Sequence, residues 1–187
     1  MTVEEFEVWP RSDGYELIDG HLRIKTMGAR ASHVQCELGA RLWRAVEDAE
    51  LGELFDSSCP YCCFPSRPST VRKPDLSLVL RDRLPATGLP DGMFRIRPDF
   101  VVEVISKNEE YEEVDEKLAD YFDAGVPLIW VLTPKTRTVL VYRADGTARR
   151  LTHADELTGD PIIPGFRVRV ADLFPPPAPP APEAPPA

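Results

Sequence analysis

The chain has 187 residues, 43% of them apolar, and a formal net charge of −9. A chain of that size and composition suits one globular domain with a real core, and no stretch approaches the roughly 20 apolar residues of a membrane span. The acid surplus argues against wholesale attraction to a polyanion. The charge is unevenly spread, however. Residues 60–98 carry Arg67, Arg72, Lys73, Arg81, Arg83, Arg95 and Arg97 against Asp75, Asp82 and Asp91, a local +4; residues 99–123 set ten acids against Lys107 and Lys117, a local −8. A nucleic acid could meet the first segment while the second faces water, although ordinary surface charge explains the same numbers. Met1-Thr2-Val3-Glu4-Glu5 lacks the basic start and apolar run of a secretory signal, so the expected compartment is the cytoplasm.

In chain order, Thr2 with Glu5 forms a capping box that opens a short helix ending before Pro10. Tyr15-Glu16-Leu17-Ile18 and His21-Leu22-Arg23-Ile24 flank Asp19-Gly20, the strongest two-residue hairpin signal. Ser32 with Gln35 reads as a second capping box, and Val34, Leu38, Leu42, Ala45, Val46 and Ala49 recur at helical spacing, which predicts an amphipathic helix over 32–50. Strands are expected near Glu53–Ser57, Tyr61–Phe64 and Leu76–Leu80. The Pro, Gly and Asp content of 81–97 marks a loop or lid.

The apolar run at 99–105 reads as a strand buried on both faces, with Asp99, Val101, Glu103 and Ile105 on one side and Phe100, Val102, Val104 and Ser106 on the other. Asn108 is placed to cap a helix Glu109–Asp123, ended by Gly125 and Pro127. Leu128–Leu132 is a further buried strand, with Thr138–Tyr142 pairing to it across a turn, Asp145-Gly146 turning into 147–152, and a last strand at Phe166–Val170. The strand–helix–strand unit 99–105, 109–123, 128–132 requires two parallel strands. The expected fold is α/β: a mixed β-sheet flanked by the helices 32–50 and 109–123, with an N-terminal β-hairpin and extra C-terminal strands. It occupies residues 1–174 as one domain. Residues 175–187 contain eight prolines and form a polyproline-like or disordered tail of unknown partner.

Four cysteines do not make a disulfide framework in a chain of this length. Cys59-Pro-Tyr-Cys62 with His33 and Cys36 can be drawn as a four-ligand zinc set, but His33 and Cys36 fall inside a helical pattern and free Cys is often a small buried apolar residue. The chemistry points elsewhere. A buried Glu103 needs a cation, a donor or a proton. If the strands carrying Asp75 and Glu103 pair as antiparallel arms around 81–97, the carboxylates converge. Two carboxylates in a dry site call for a hard divalent ion such as Mg²⁺ or Mn²⁺, with a carbonyl of Val104 or Ile105 as a further oxygen. Phosphodiester hydrolysis would also require a cation near the developing phosphoryl charge. Two residues past Glu103, where a lysine would share its face, stands Ile105. Lys107 lies in the following turn. At 100° per residue, Lys117 falls at the edge of the stripe Val114, Leu118, Tyr121, Phe122, from where it could reach the acids or merely pair with Glu113.

Pro74-Asp75, Glu103-Val-Ile-Ser106, Glu116-Lys117-Leu118, Tyr15-Glu16-Leu17-Ile18-Asp19-Gly20 and Ala124-Gly125-Val126-Pro127, in that arrangement, resemble the bacterial family described as putative restriction endonucleases, over about residues 4–174. The resemblance implies a restriction-endonuclease-like core of the PD-(D/E)xK kind, a divalent metal and DNA cleavage. It makes Asp75 and Glu103 metal ligands, Lys117 the residue that steadies the attacking water or the phosphate, and Glu16 an accessory acid. His33 takes a supporting role or none. Lys107 stands where the family usually has Pro, so a second lysine competes with Lys117, and Glu113 replaces a usual Asp. An inactive nucleic-acid-binding or assembly protein on the same fold is the alternative. A homodimer is expected by analogy with enzymes that cut both strands.

Overall fold

A computed structural model describes residues 1–107 and 109–176. The chain opens with a short helix, α1 (Val3–Glu7), whose Thr2 and Glu5 form the reciprocal cap expected from their spacing. The hairpin strands β1 (Tyr15–Ile18) and β2 (His21–Ile24) follow, paired antiparallel. Their turn needs left-handed backbone at both central positions, and Asp19 and Gly20 supply it with φ of 48° and 79°. Helix α2 (Ala29–Asp48) leads to β3 (Gly52–Asp56) and β4 (Leu76–Leu80). Then come β5 (Phe100–Val104), α3 (Tyr111–Asp123), β6 (Leu128–Thr133), β7 (Thr138–Arg143) and β8 (Ala148–Leu151). A separate ribbon pairs β9 (Glu156–Thr158) with β10 (Arg167–Arg169).

The principal sheet is six-stranded and mixed, in the order β3-β4-β5-β6-β7-β8. Every pairing is antiparallel except β5 with β6, which α3 joins as a parallel crossover. The period-2 alternation divides the sheet into two faces. On one side Leu76, Leu78, Phe100, Val102, Val104, Leu128, Trp130 and Leu132 pack against Val34, Leu38, Leu42 and Val46 of α2 and against the C-terminal segment. On the other, Val79, Val101, Ile129 and Val131 pack against Leu118 and Tyr121 of α3 and against Tyr61, Phe64 and Phe94 of the connecting loops. Among the described residues no helix is long and apolar enough to cross a membrane.

Several local expectations are corrected. Helix α2 starts at Ala29 with Gly28 as its cap rather than at Ser32, because the extra turn buries Ala31 in the core. Gln35 is thereby free of capping and donates instead to the Asp75 carbonyl at 2.7 Å. Tyr61–Phe64 is not a strand: between Pro60 and Pro65 only Tyr61 makes bridges, to Arg72 and Phe94. Helix α3 begins at Tyr111 with a box between Glu110 and Glu113, while Asn108, the expected cap, lies outside the described residues. The stripe residue Phe122 is 41% exposed. The terminal strand pairs with β9, a strand not foreseen because Glu156-Leu157-Thr158 is too short to show a period.

Gly52 marks where β3 and β4 approach too closely for a side chain. A Cβ there would stand 2.1 Å from the Val79 carbonyl oxygen and 2.8 Å from the Leu80 Cα, both backbone atoms that cannot rotate away. Gly52→Ala should therefore cost about 3 kcal/mol, the upper part of the range for overpacking. Urea denaturation measures this, and an unchanged midpoint would contradict the packing described.

Candidate active site

The register of the β4–β5 pair assembles the site. Leu76 lies opposite Val102 and Ser77 opposite Val101; one step further, the same register sets Asp75 across from Glu103. Directly opposed residues of an antiparallel pair point to the same face, so both acids project toward α3. Both are buried, at 3% and 2% exposure. Asp75 Oδ2 accepts from the Val104 amide at 2.7 Å and Oδ1 lies 2.8 Å from the Lys25 ammonium. Glu103 Oε1 accepts from the Tyr121 hydroxyl at 2.5 Å and Oε2 from Lys117 Nζ at 2.9 Å.

Helix geometry explains how Lys117 arrives. It lies one residue before Leu118 and four before Tyr121, so anchoring those two in the core turns Lys117 toward the sheet. Its ammonium also lies 2.6 Å from Glu109, just ahead of the helix, and not on Glu113, whose carboxylate is engaged by the Glu110 amide. Glu16 comes from the hairpin. It accepts from Arg72 Nη1 at 3.1 Å and from the Lys73 amide at 2.8 Å.

The charges shape one another. Burial raises the Glu103 pKa, the Lys117 ammonium opposes this and the Asp75 charge adds to it, leaving Glu103 above the ordinary 4.5. Burial also opposes ionisation of Glu16, but Lys117, Arg72 and Lys25 together hold it below the ordinary value. Burial disfavours the charged forms of Lys117 and Lys25, and the surrounding carboxylates outweigh it in both, so both amines sit above the ordinary lysine value. The Tyr121 phenol is pushed far up by burial and by Glu103, and so stays a donor.

An open cleft runs over these groups, lined among others by Glu16, Lys25, Asp75, Val104, Glu109 and Lys117. Of the residues expected in the site, Asp75, Glu103, Lys117 and Glu16 are brought together. Lys107 and His33 are exposed and do not line the cleft. His33, Cys36, Cys59 and Cys62 do not gather into a zinc site: Cys36 is exposed on α2, while Cys59 and Cys62 border apolar clusters elsewhere. Three participants gave no sequence signal of their role. Lys25 follows a strand and looks like a surface residue, Tyr121 reads as part of an apolar stripe, and the fully buried Arg72 has partners 48 and 56 residues away.

The donor set can be tested against a divalent ion. Among the described residues no three His, Cys, Asp or Glu side chains converge as a self-sufficient cage. Mg²⁺ does not demand one: it is held by one or two carboxylates and fills its remaining positions with water or substrate oxygens. Two facing carboxylates of hard oxygen type, beside a cleft open to solvent, fit that requirement.

A mixed sheet with an acid pair at one antiparallel step and a lysine on the following crossover helix defines the class: a restriction-endonuclease-like α/β fold. The chain belongs to the Uma2 family, described as putative restriction endonuclease, whose profile matches residues 3–171. In three dimensions it is similar to a crystal structure described as a putative nuclease belonging to DUF820, from Anabaena variabilis ATCC 29413. The TM-score is 0.81 and the identity 22%, over 93% of this chain and 97% of that one. At that identity the likeness concerns the fold. No curated protein shows significant sequence similarity to the chain.

Arg72 is wholly buried between Glu16 and Asp120, the latter 2.7 Å from its Nε. Arg72→Met takes from both buried carboxylates the cation they share, leaving Asp120 with Arg67 and Glu16 with the Lys73 amide, and should cost about 3 kcal/mol in chemical denaturation; a loss below about 1 kcal/mol would contradict the pairing. The sign of the acid response is also set. The Glu16 pKa is lower folded than unfolded, so its stabilisation is complete above the ordinary 4.5 and is lost as pH falls through the folded value. Glu16→Gln should flatten the acid limb of the stability–pH curve; an unaltered limb would contradict the assignment.

Proposed function

We propose that the protein is a divalent-metal-dependent nuclease that hydrolyses DNA phosphodiester bonds, with residues 1–174 as the catalytic unit. The observation that carries this reading is the Asp75–Glu103 pair on adjacent interior strands, with Lys117 hydrogen-bonded to Glu103. Family membership supports the reaction class. Asp75 and Glu103 would hold Mg²⁺ or Mn²⁺, with a backbone carbonyl of Val104 or Ile105 as a further oxygen. Such an ion, when bound, offsets charge on the phosphoryl oxygens and makes an adjacent water more acidic.

The protein's own groups do the rest. Lys117, kept cationic by its carboxylate neighbours, donates toward the attacking water or a phosphate oxygen and stabilises negative charge as it develops. Tyr121 holds Glu103 in one rotamer through its hydroxyl. Glu16, anchored by Arg72 and the Lys73 amide, keeps an ionised carboxylate on the cleft wall that orients water and sustains the charge of Lys117. Lys107 and His33, exposed away from the cleft lining, are assigned no step in the chemistry.

A second reading is an inactive nucleic-acid-binding or assembly protein on the same scaffold. It is favoured by the net charge of −9 and by Ile105 in place of a strand lysine. We further propose a cytoplasmic homodimer, since cleavage of both strands is served by two-fold symmetry.

Supercoiled plasmid and short duplexes with Mg²⁺ or Mn²⁺ decide between the readings. Asp75→Ala and Glu103→Gln should abolish nicking, and Lys117→Met should slow it by roughly 10²–10³-fold, the typical effect of removing one preorganised donor. Activity that survives Asp75→Ala or persists in EDTA would sink the site assignment. Absence of any metal-dependent cleavage, with intact DNA binding, would favour the second reading. Light scattering should give twice the chain mass, and a monomer would remove the dimer proposal.

A further inference from the structure

Lys25 is a site residue that the acid pair and its helix lysine do not explain. It follows β2, and its amide is fixed by a 2.9 Å hydrogen bond to the Gly14 carbonyl. From there the side chain runs inward, 14% exposed, placing Nζ 2.8 Å from Asp75 Oδ1 and in hydrogen bond to the Lys73 carbonyl oxygen. The carboxylates that raise its pKa are Asp75, Glu103 and Glu16 in turn, and the first two are the acids proposed to hold the metal ion. Lys117 neutralises the opposite side of the pair through Glu103. Two ammonium groups thus sit among the three acids, which form no three-ligand cluster among the described residues.

We propose that Lys25 is a built-in occupant of the cation position: its ammonium neutralises Asp75 in the metal-free protein and has to leave when a divalent ion binds. The inference rests on the metal-dependent reading above. Its physical basis is exclusion. An ammonium satisfies a carboxylate by donating N–H groups to the lone pairs that a metal ion needs. Two like cations within a few ångströms in a partly dry cleft also repel strongly. Lys25 can leave because its charge ends a flexible four-carbon stem on the wall of an open cleft. The metal-competent state is then a minor conformation, and the apparent metal affinity is reduced by its population. The arrangement guards the site in a second way, since an unfilled acid pair would otherwise draw in any stray cation.

Mn²⁺ titration calorimetry on wild type and Lys25→Met tests this. Removing the competitor should tighten Mn²⁺ binding by about ten-fold or more. It should also lower the Tm of the metal-free protein, with added Mn²⁺ restoring it. A Lys25→Met variant that binds Mn²⁺ no tighter than a wild type that does bind overturns the role of Lys25 and leaves the metal reading standing. No binding by either protein overturns both. A second measurement uses wild type alone and decides the matter should the variant not fold: acetylation of lysine amines followed by mass spectrometry, with and without Mn²⁺. Displacement predicts that Lys25 reacts several-fold faster when Mn²⁺ is present, with the exposed Lys135 as an unchanged reference. A rate for Lys25 that is unaltered or slower with Mn²⁺ overturns the proposal.

Discussion

Two carboxylates face each other across an antiparallel step in the interior of this protein, and much of the architecture answers that fact. Asp75 and Glu103 share a face because β4 and β5 pair in one register; a slip of one residue would send one of them into the apolar layer beneath α2. Buried like charges are costly unless cations or donors reach them. Lys25 arrives from the hairpin, Lys117 and Tyr121 from the crossover helix, and the Val104 amide from the strand itself. Three separately folded pieces are thereby tied to one point.

The same logic extends outward as a ladder of alternating charge. Asp19 in the hairpin turn meets Arg67, Arg67 meets Asp120, Asp120 meets Arg72, and Arg72 meets Glu16. The two pairs made by Arg72 are deeply buried, while Asp19 at the outer end is exposed; buried pairs add little net stability over an apolar replacement, but losing one member strands the next. Their service here is orientation: they pin the hairpin and the loop at 67–73 to α3, so that Glu16 and Lys25 lie over the acid pair. The larger apolar cluster lies on the other face of the sheet, where Trp130, Phe100 and the α2 leucines are fully buried. The site shares its own face with a second buried cluster that includes Leu118, Tyr121, Ile129 and Val131.

The placement of charge also bears on how a polyanion would approach. The first turn of α3 and the residue before it are acidic, with Glu110, Glu112 and Glu113 at the start and Glu109 drawn onto Lys117. Arg23 on the hairpin is held by Glu116. A phosphate entering the cleft thus has to compete with carboxylates for each nearby cation, which makes an added divalent charge the natural means of admitting it.

Where local chemistry decides structure, the sequence was sufficient. Asp19-Gly20 dictated a left-handed turn and so a hairpin, the 3.6-residue stripes dictated α2 and α3, and a strand–helix–strand unit ended by Gly125 and Pro127 dictated a parallel β5–β6 pair. Even the acid pair was legible, because two strands joined through one loop have few ways to pair, and the angular position of Lys117 followed from its neighbours. What the tertiary structure alone decided are contacts between residues far apart in the chain: Lys25 with Asp75, Tyr121 with Glu103, Arg72 with Glu16 and Asp120. The start of α2 and the existence of β9 belong with them, settled by the burial of Ala31 and by pairing with β10. Periodicity records which way a side chain leaves its own element. It carries no information on which distant charge will be waiting there, since only packing brings the two within a few ångströms.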